Sequence, residues 1–279
     1  MAAVSLGLVV GSFLNVVIHR LPRMLFTDWQ NECEEFLRDH AESPYCIDNT
    51  SGSYNLAIPR SSCPSCNSVI KAWQNIPVIS YLVLGGKCAN CRKKISPRYP
   101  VVETITGLMS TFVVYQLGVS IDAGLALLLT WSLIVLTLID ADHQLLPDNI
   151  TLPLLWLGLA INSFGIFTDL HSAVVGAMAG YLSLWSVYWL FKLVTGKEGM
   201  GFGDFKLLAA LGAWMGWQQL PLIIVLSSVV GAMYGILSIL LAGKDKNKPI
   251  PFGPYLAIAG WIAFFWGDNL KQLYLSTFA

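Results

Sequence analysis

Long apolar runs separated by short polar connections set the plan of this chain. Uncharged or nearly uncharged stretches recur at residues 1–18, about 100–118, 121–140, about 150–167, 172–194, 204–217, 219–242 and 252–267. A bilayer core takes about 20 apolar residues per helical crossing, so the pattern predicts about eight transmembrane helices, with the 204–217 segment short. The first run, MAAVSLGLVVGSFLNVVI, is barely long enough to span and reads as clipped at its start. Its basic flank follows the apolar run and no Ala-x-Ala-like site appears, so a crossing helix is preferred to a secretory signal peptide. One long polar stretch, from His19 to Tyr99, interrupts the series. The expected division is a first helix over 1–18, a polar domain over 19–99 and a helical membrane domain over 100–279.

Composition agrees with a lipid solvent: of 279 residues, 55% are hydrophobic and 12% charged, and the mean hydropathy is +0.60. Net charge is zero, which gives no reason to expect nucleic acid or another polyanion as partner. The distribution of charge says more. Ten of the 17 Lys and Arg residues lie between His19 and Tyr99, and the rest are Lys192, Lys197, Lys206, Lys244, Lys246, Lys248 and Lys271. With eight crossings, every basic cluster except Lys271 falls on the side of the long polar stretch, and basic loops face the cytoplasm. The opposite connections, around Val119–Ile121, Thr168–His171 and Trp217–Leu220, carry no Lys or Arg. Removing one crossing would scatter the basic loops over both faces.

The polar stretch holds two Cys-x-x-Cys knuckles, Cys63–Cys66 and Cys88–Cys91, with 21 residues between them. Four thiolates at this spacing suit one tetrahedral zinc ion, and metal ligation would supply folding energy to a segment with little apolar surface. Gly85 and Gly86 offer a tight turn into the second knuckle. Disulfides or a redox dithiol are disfavoured by a cytoplasmic setting, while iron–sulfur ligation stays open. Four protein thiolates leave no position for a catalytic water, so the zinc would be structural. Cys33 and Cys46, in an acidic stretch without a partner knuckle, read as ordinary thiols.

Carboxylates beside membrane helices cost free energy, so Glu103, Asp140, Asp142, Asp148 and Asp204 each ask for a role. Asp140 closes the run WSLIVLTLID, and Asp204 follows GMGFG, whose glycines permit irregular backbone before a short helix. Two complete crossings separate them, so topology returns both to one leaflet although the positions are 64 residues apart. Two carboxylates held together do not readily both ionise: one serves as acid and the other as base toward water, the chemistry of aspartic peptidases. A lone aspartate at a helix end is otherwise a cap, and Asp142 and Asp148 read that way. No His-Glu-x-x-His and no Gly-x-Ser-x-Gly occurs, and His19, His40, His143 and His171 are scattered. A zinc-stabilised transporter or assembly scaffold with cation-binding aspartates is the competing class; no inverted repeat supports it.

Several segments together resemble the bacterial type IV prepilin peptidases: GSFLNVVIHRLP (Gly11–Pro22), the paired knuckles, NIPVISYLVLGGKC (Asn75–Cys88), RYPVVE (Arg98–Glu103), IDADHQLLPD (Ile139–Asp148), GMGFGDFK (Gly199–Lys206) and PIPFGPYLAIAGW (Pro249–Trp261). The resemblance covers nearly the whole chain. It implies an all-α polytopic protein of the inner membrane with a small cytoplasmic zinc-knuckle domain inserted after the first helix, Cys63, Cys66, Cys88 and Cys91 being the ligands. It implies Asp140, rather than Asp142, as the partner of Asp204 in a catalytic pair that cuts the basic leader from prepilins and type II secretion pseudopilins. It further implies N-methylation of the new terminus with S-adenosylmethionine, associated with Gly86 and Lys87. No cofactor fold is visible in the residues themselves.

Overall fold

The computed structural model describes residues 2–40, 54–197, 199–242 and 251–278. Cys46 and the basic positions Lys244, Lys246 and Lys248 lie outside the described residues. Within them the long elements are all helical: α1 (Ala2–His40), a short α2 (Ile79–Val83), α3 (Arg98–Leu117), α4 (Ile121–His143), α5 (Asp148–Asn162), α6 (Leu170–Thr195), α7 (Phe202–Met215), α8 (Leu220–Ala242) and α9 (Gly253–Phe278). Strand-like pairing among the described residues is limited to two isolated bridges, Ser62 with Val69 and Lys87 with Lys94. The chain divides into two compact units, Met1–Leu127 and Leu128–Ala279.

Among the described residues, four helices are long and apolar enough to cross a membrane by length and composition, over Ala2–Arg38, Ile121–His143, Leu170–Thr195 and Trp217–Ser238. The eight crossings expected from hydropathy are therefore met by four on this standard, for local reasons. With 15 and 14 residues, α5 and α7 extend only about 22 and 21 Å, against a hydrocarbon core of about 30 Å. Glu103 and Gln116 dilute the apolar run of α3, and Asp268 and Asn269 that of α9.

The first helix does not stop with its apolar run at residue 18 but continues to His40. Beyond the lipid-compatible part it becomes a solvated helix of mixed charge, in which Gln30 donates to the Glu34 carboxylate one turn on, at 2.9 Å. In the first unit α1 packs antiparallel to α3 through small residues. A Cβ on Gly7 would fall 2.7 Å from Ser110 Oγ, and one on Gly11 would fall 2.8 Å from Glu103 Cα. Asn15 extends the seam by donating to the Tyr99 carbonyl at 3.1 Å.

In the second unit the short α7 is the core: Phe205, Leu207, Leu208, Leu211, Ala213 and Trp214 are inaccessible or nearly so. α6 runs antiparallel against it, with Gly176 facing Gly212 and Gly180 facing Leu208. α5 runs parallel to it, fixed by Trp214 Nε1 donating to the Leu154 carbonyl at 2.8 Å and by Asn162 donating to the Ala213 and Trp214 carbonyls at 2.8 and 3.1 Å. α9 crosses Leu211 at Gly260 and meets α4 where Trp261 donates to Thr130 at 3.1 Å. These directions bring the end of α4 and the starts of α5, α7 and α9 to one end of the unit.

Candidate functional site

That end carries the two aspartates singled out above. Asp140 lies in the last turn of α4 and Asp204 in the first turn of α7, and they are 5% and 6% exposed. They lie close enough to repel electrostatically. The structure thus brings together two carboxylates far apart in sequence and removes both from bulk solvent. Asp140 Oδ2 accepts a hydrogen bond from the backbone N–H of Gly253, the first residue of α9, at 3.0 Å. Leu146, 7% exposed, fills the space beside them: its Cβ lies 2.7 Å from where a Cβ on Gly203 would be.

Asp142 and Asp148 are not the helix caps the sequence suggested. Asp142 is exposed in the last turn of α4, and Pro147 occupies the N-cap position of α5, with Asp148 just inside. Asp148 instead receives Lys206 Nζ on both carboxylate oxygens at 2.7 Å, tying the start of α5 to that of α7 two residues beyond Asp204. Glu103, in the first unit, is buried and accepts from the Val78 N–H at 2.8 Å. Val78 has φ +58°, a strained value for a β-branched residue that this bond helps to hold. Sequence reasoning gave no role at the site to Lys206, Leu146 or Gly253, although each lies inside one of the segments quoted above.

The four knuckle cysteines gather in the first unit, with all their Sγ atoms within 4.8 Å of one another. Thiolates about 2.3 Å from zinc set tetrahedral edges of about 3.8 Å. Cys63 Sγ and Cys91 Sγ are 3.8 Å apart, so the donor set fits that ion. The two knuckles are built alike. Asn67 N–H donates to the Cys63 carbonyl and Arg92 N–H to the Cys88 carbonyl, while the amides of Cys63 and Cys88 return to the Ser68 and Lys93 carbonyls. Asn67 and Arg92 have φ +53° and +56°, so the left-handed residue directly follows each second cysteine. The turn of each half-site is made there, not by Gly85 and Gly86 alone. Gly86 has its own structural account: φ is +66°, and a Cβ would lie 2.9 Å from the Tyr81 hydroxyl. Lys87 pairs with Lys94 across the second knuckle. Cys33 stands apart on the exposed face of α1.

Fold and site define a helical membrane protein with a buried carboxylate pair at converging helix ends and a separate four-cysteine cluster. Residues 5–117 match the model of the bacterial peptidase A24 N-terminal domain, and residues 127–236 that of the type IV leader peptidase family. The chain is 58% identical over 275 residues to a prepilin leader peptidase/N-methyltransferase of Stutzerimonas stutzeri, covering 99% of this chain and 93% of the relative. It is 57% identical to the protein of that name from Pseudomonas aeruginosa, with the same coverage. A Legionella pneumophila protein so named is 47% identical, over 96% of this chain and 92% of its own length. The chain belongs to the type IV leader peptidase family, as its motifs led one to expect. No solved structure matches it.

Proposed function

We propose that this protein is a bifunctional membrane enzyme that removes the basic leader of type IV prepilins and type II secretion pseudopilins and then methylates the exposed amine. The observation that carries this reading is the identity of 58% along 99% of the chain to a protein named for both activities. In the proposed reaction the prepilin presents its leader junction at the cytoplasmic interface of the inner membrane, its apolar helix lying in lipid. Asp140 and Asp204 act as the catalytic pair: one carboxylate takes a proton from water as it attacks the scissile carbonyl, and the other protonates the carbonyl oxygen. No acyl-enzyme forms. Their burial and mutual repulsion support this, because a low-dielectric pair favours sharing one proton over two full charges.

Cys63, Cys66, Cys88 and Cys91 would hold a structural zinc ion, which when bound clamps the two knuckles together. The excess of Lys and Arg in the same stretch supports a cytoplasmic position. S-adenosylmethionine would be the methyl donor, with Gly86 and Lys87 as the residues to test. Cleavage of a purified prepilin by the reconstituted enzyme decides the peptidase assignment. Asp140→Asn and Asp204→Asn are each expected to abolish it, and a wild-type rate from either variant removes that residue from the pair.

A further inference from the structure

α9 begins beyond residue 236, where the leader peptidase family model ends, yet its first residue touches Asp140. The first turn of a helix has amides without intrahelical partners. Here Pro254 has none to offer, and those of Tyr255 and Leu256 are directed to the Phe252 carbonyl at 3.1 Å. The Gly253 amide is the donor of that turn turned outward, and it meets Asp140 Oδ2 at 3.0 Å in a buried setting. The residue must also be small. A Cβ at Gly253 would lie 2.7 Å from Oδ2, 3.1 Å from Cγ of the same carboxylate and 3.2 Å from Leu146 Cδ1. Backbone that is neither left-handed nor in a tight turn does not itself demand glycine. The carboxylate does.

We infer that Gly253 is a positioning residue for the peptidase reaction: its amide fixes one oxygen of Asp140, and its missing side chain leaves the volume that oxygen occupies. This rests on the reading of Asp140 as a member of the catalytic pair. Any side chain at position 253 would turn the carboxylate away from Asp204 and the water between substrate and pair. Misplacement on the scale of an ångström costs on the order of 100-fold in rate without changing how the substrate is held.

The experiment is steady-state prepilin cleavage by the full-length enzyme in lipid, with Gly253→Ala beside Gly260→Ala. The second variant crowds Leu211 from the same helix, a Cβ there lying 2.6 Å from Leu211 Cδ1, well along α9 from the carboxylates. Gly253→Ala should lose about 100-fold in kcat at unchanged KM. Gly260→Ala should lower the unfolding temperature while keeping kcat within a few-fold of wild type. A wild-type kcat for Gly253→Ala, or equal kcat losses in the two variants, overturns the inference. If Gly253→Ala does not fold, the double variant Asp140→Ala/Gly253→Ala is compared by folded yield: recovery places the clash on the carboxylate, and no recovery overturns the inference. Asp140→Asn tests the underlying reading on its own. An inactive Asp140→Asn beside a fully active Gly253→Ala sinks only the positioning role, whereas an active Asp140→Asn sinks the pair itself.

Discussion

Ser68 governs one of the four clustered thiols. Its hydroxyl lies 3.0 Å from Cys66 Sγ, and together with its backbone it holds that thiol down at about 6, below the ordinary thiol range. A metal binds the thiolate, so a lowered value keeps Cys66 ready as a ligand at neutral pH, and protons reclaim it only as pH falls through that region. The hydroxyl bond favours the charged form; removing it raises the thiol and lets protons compete earlier. Ser68→Ala is therefore expected to release zinc at higher pH than wild type, read by titration with a zinc-binding dye, and Cys63→Ser to lose the metal outright on elemental analysis. The knuckle cysteines were legible because Cys-x-x-Cys repeats are a spacing signal. Ser68, Asn67 and Arg92 were not, because what marks them is a backbone turn and a side-chain reach rather than residue type. The same holds at the acid pair: Asp140 and Asp204 stood out as charges in apolar runs, while Gly253 acts through an amide that every residue but proline has.

Helix existence was legible from apolar runs, and helix ends less so. α1 outlasts its apolar segment because charged residues of good helical propensity carry it on to His40. Packing was the least visible feature, since a glycine in an apolar run does not announce which helix it faces. In the second unit Gly176 and Gly212 oppose each other so closely that neither has room for a side chain, and Gly158 lies against Trp214, where a Cβ would meet Cδ1 at 2.5 Å. Such contacts let α7 be enclosed by α5 and α6. Overpacking a close interface costs about 1–3 kcal/mol, so Gly176→Val should lower the unfolding temperature in detergent by several degrees. Because the strain lies far from the carboxylates, protein that remains folded should still cleave. Trp214→Phe removes a second hydrogen bond from the Leu154 carbonyl, which keeps its intrahelical partner within α5, so the loss is about 0.5–1.5 kcal/mol in the same assay.

At the scale of the molecule the question is how the short helices relate to the bilayer. Three connections without Lys or Arg each contain or adjoin a left-handed glycine: Gly118, Gly165 and Gly216, with φ +69°, +67° and +81°. Each lies between long elements, after α3, α5 and α7 respectively. The basic positions Lys192, Lys197 and Lys206 flank the end of α6 and the start of α7, while Asp140, Asp148 and Asp204 cluster at that same end of the second unit. α5 and α7 run parallel there, so if one of them crosses, the other crosses in the same sense. Their lengths of about 22 and 21 Å suit helices whose ends are wrapped by protein rather than lipid, which the burial of α7 bears out for that helix. The eight-crossing arrangement then predicts that alkaline phosphatase inserted at Gly118, Gly165 or Gly216 is active, and that green fluorescent protein inserted near Gln144 or Lys197 fluoresces. Four crossings alone would put Gly165 on the side of Gln144, because α5 would no longer carry the chain across. Opposite readings at the two positions, phosphatase activity at Gly165 with fluorescence near Gln144, are thus decisive, and the same side for both would move the acid pair's leaflet assignment with it.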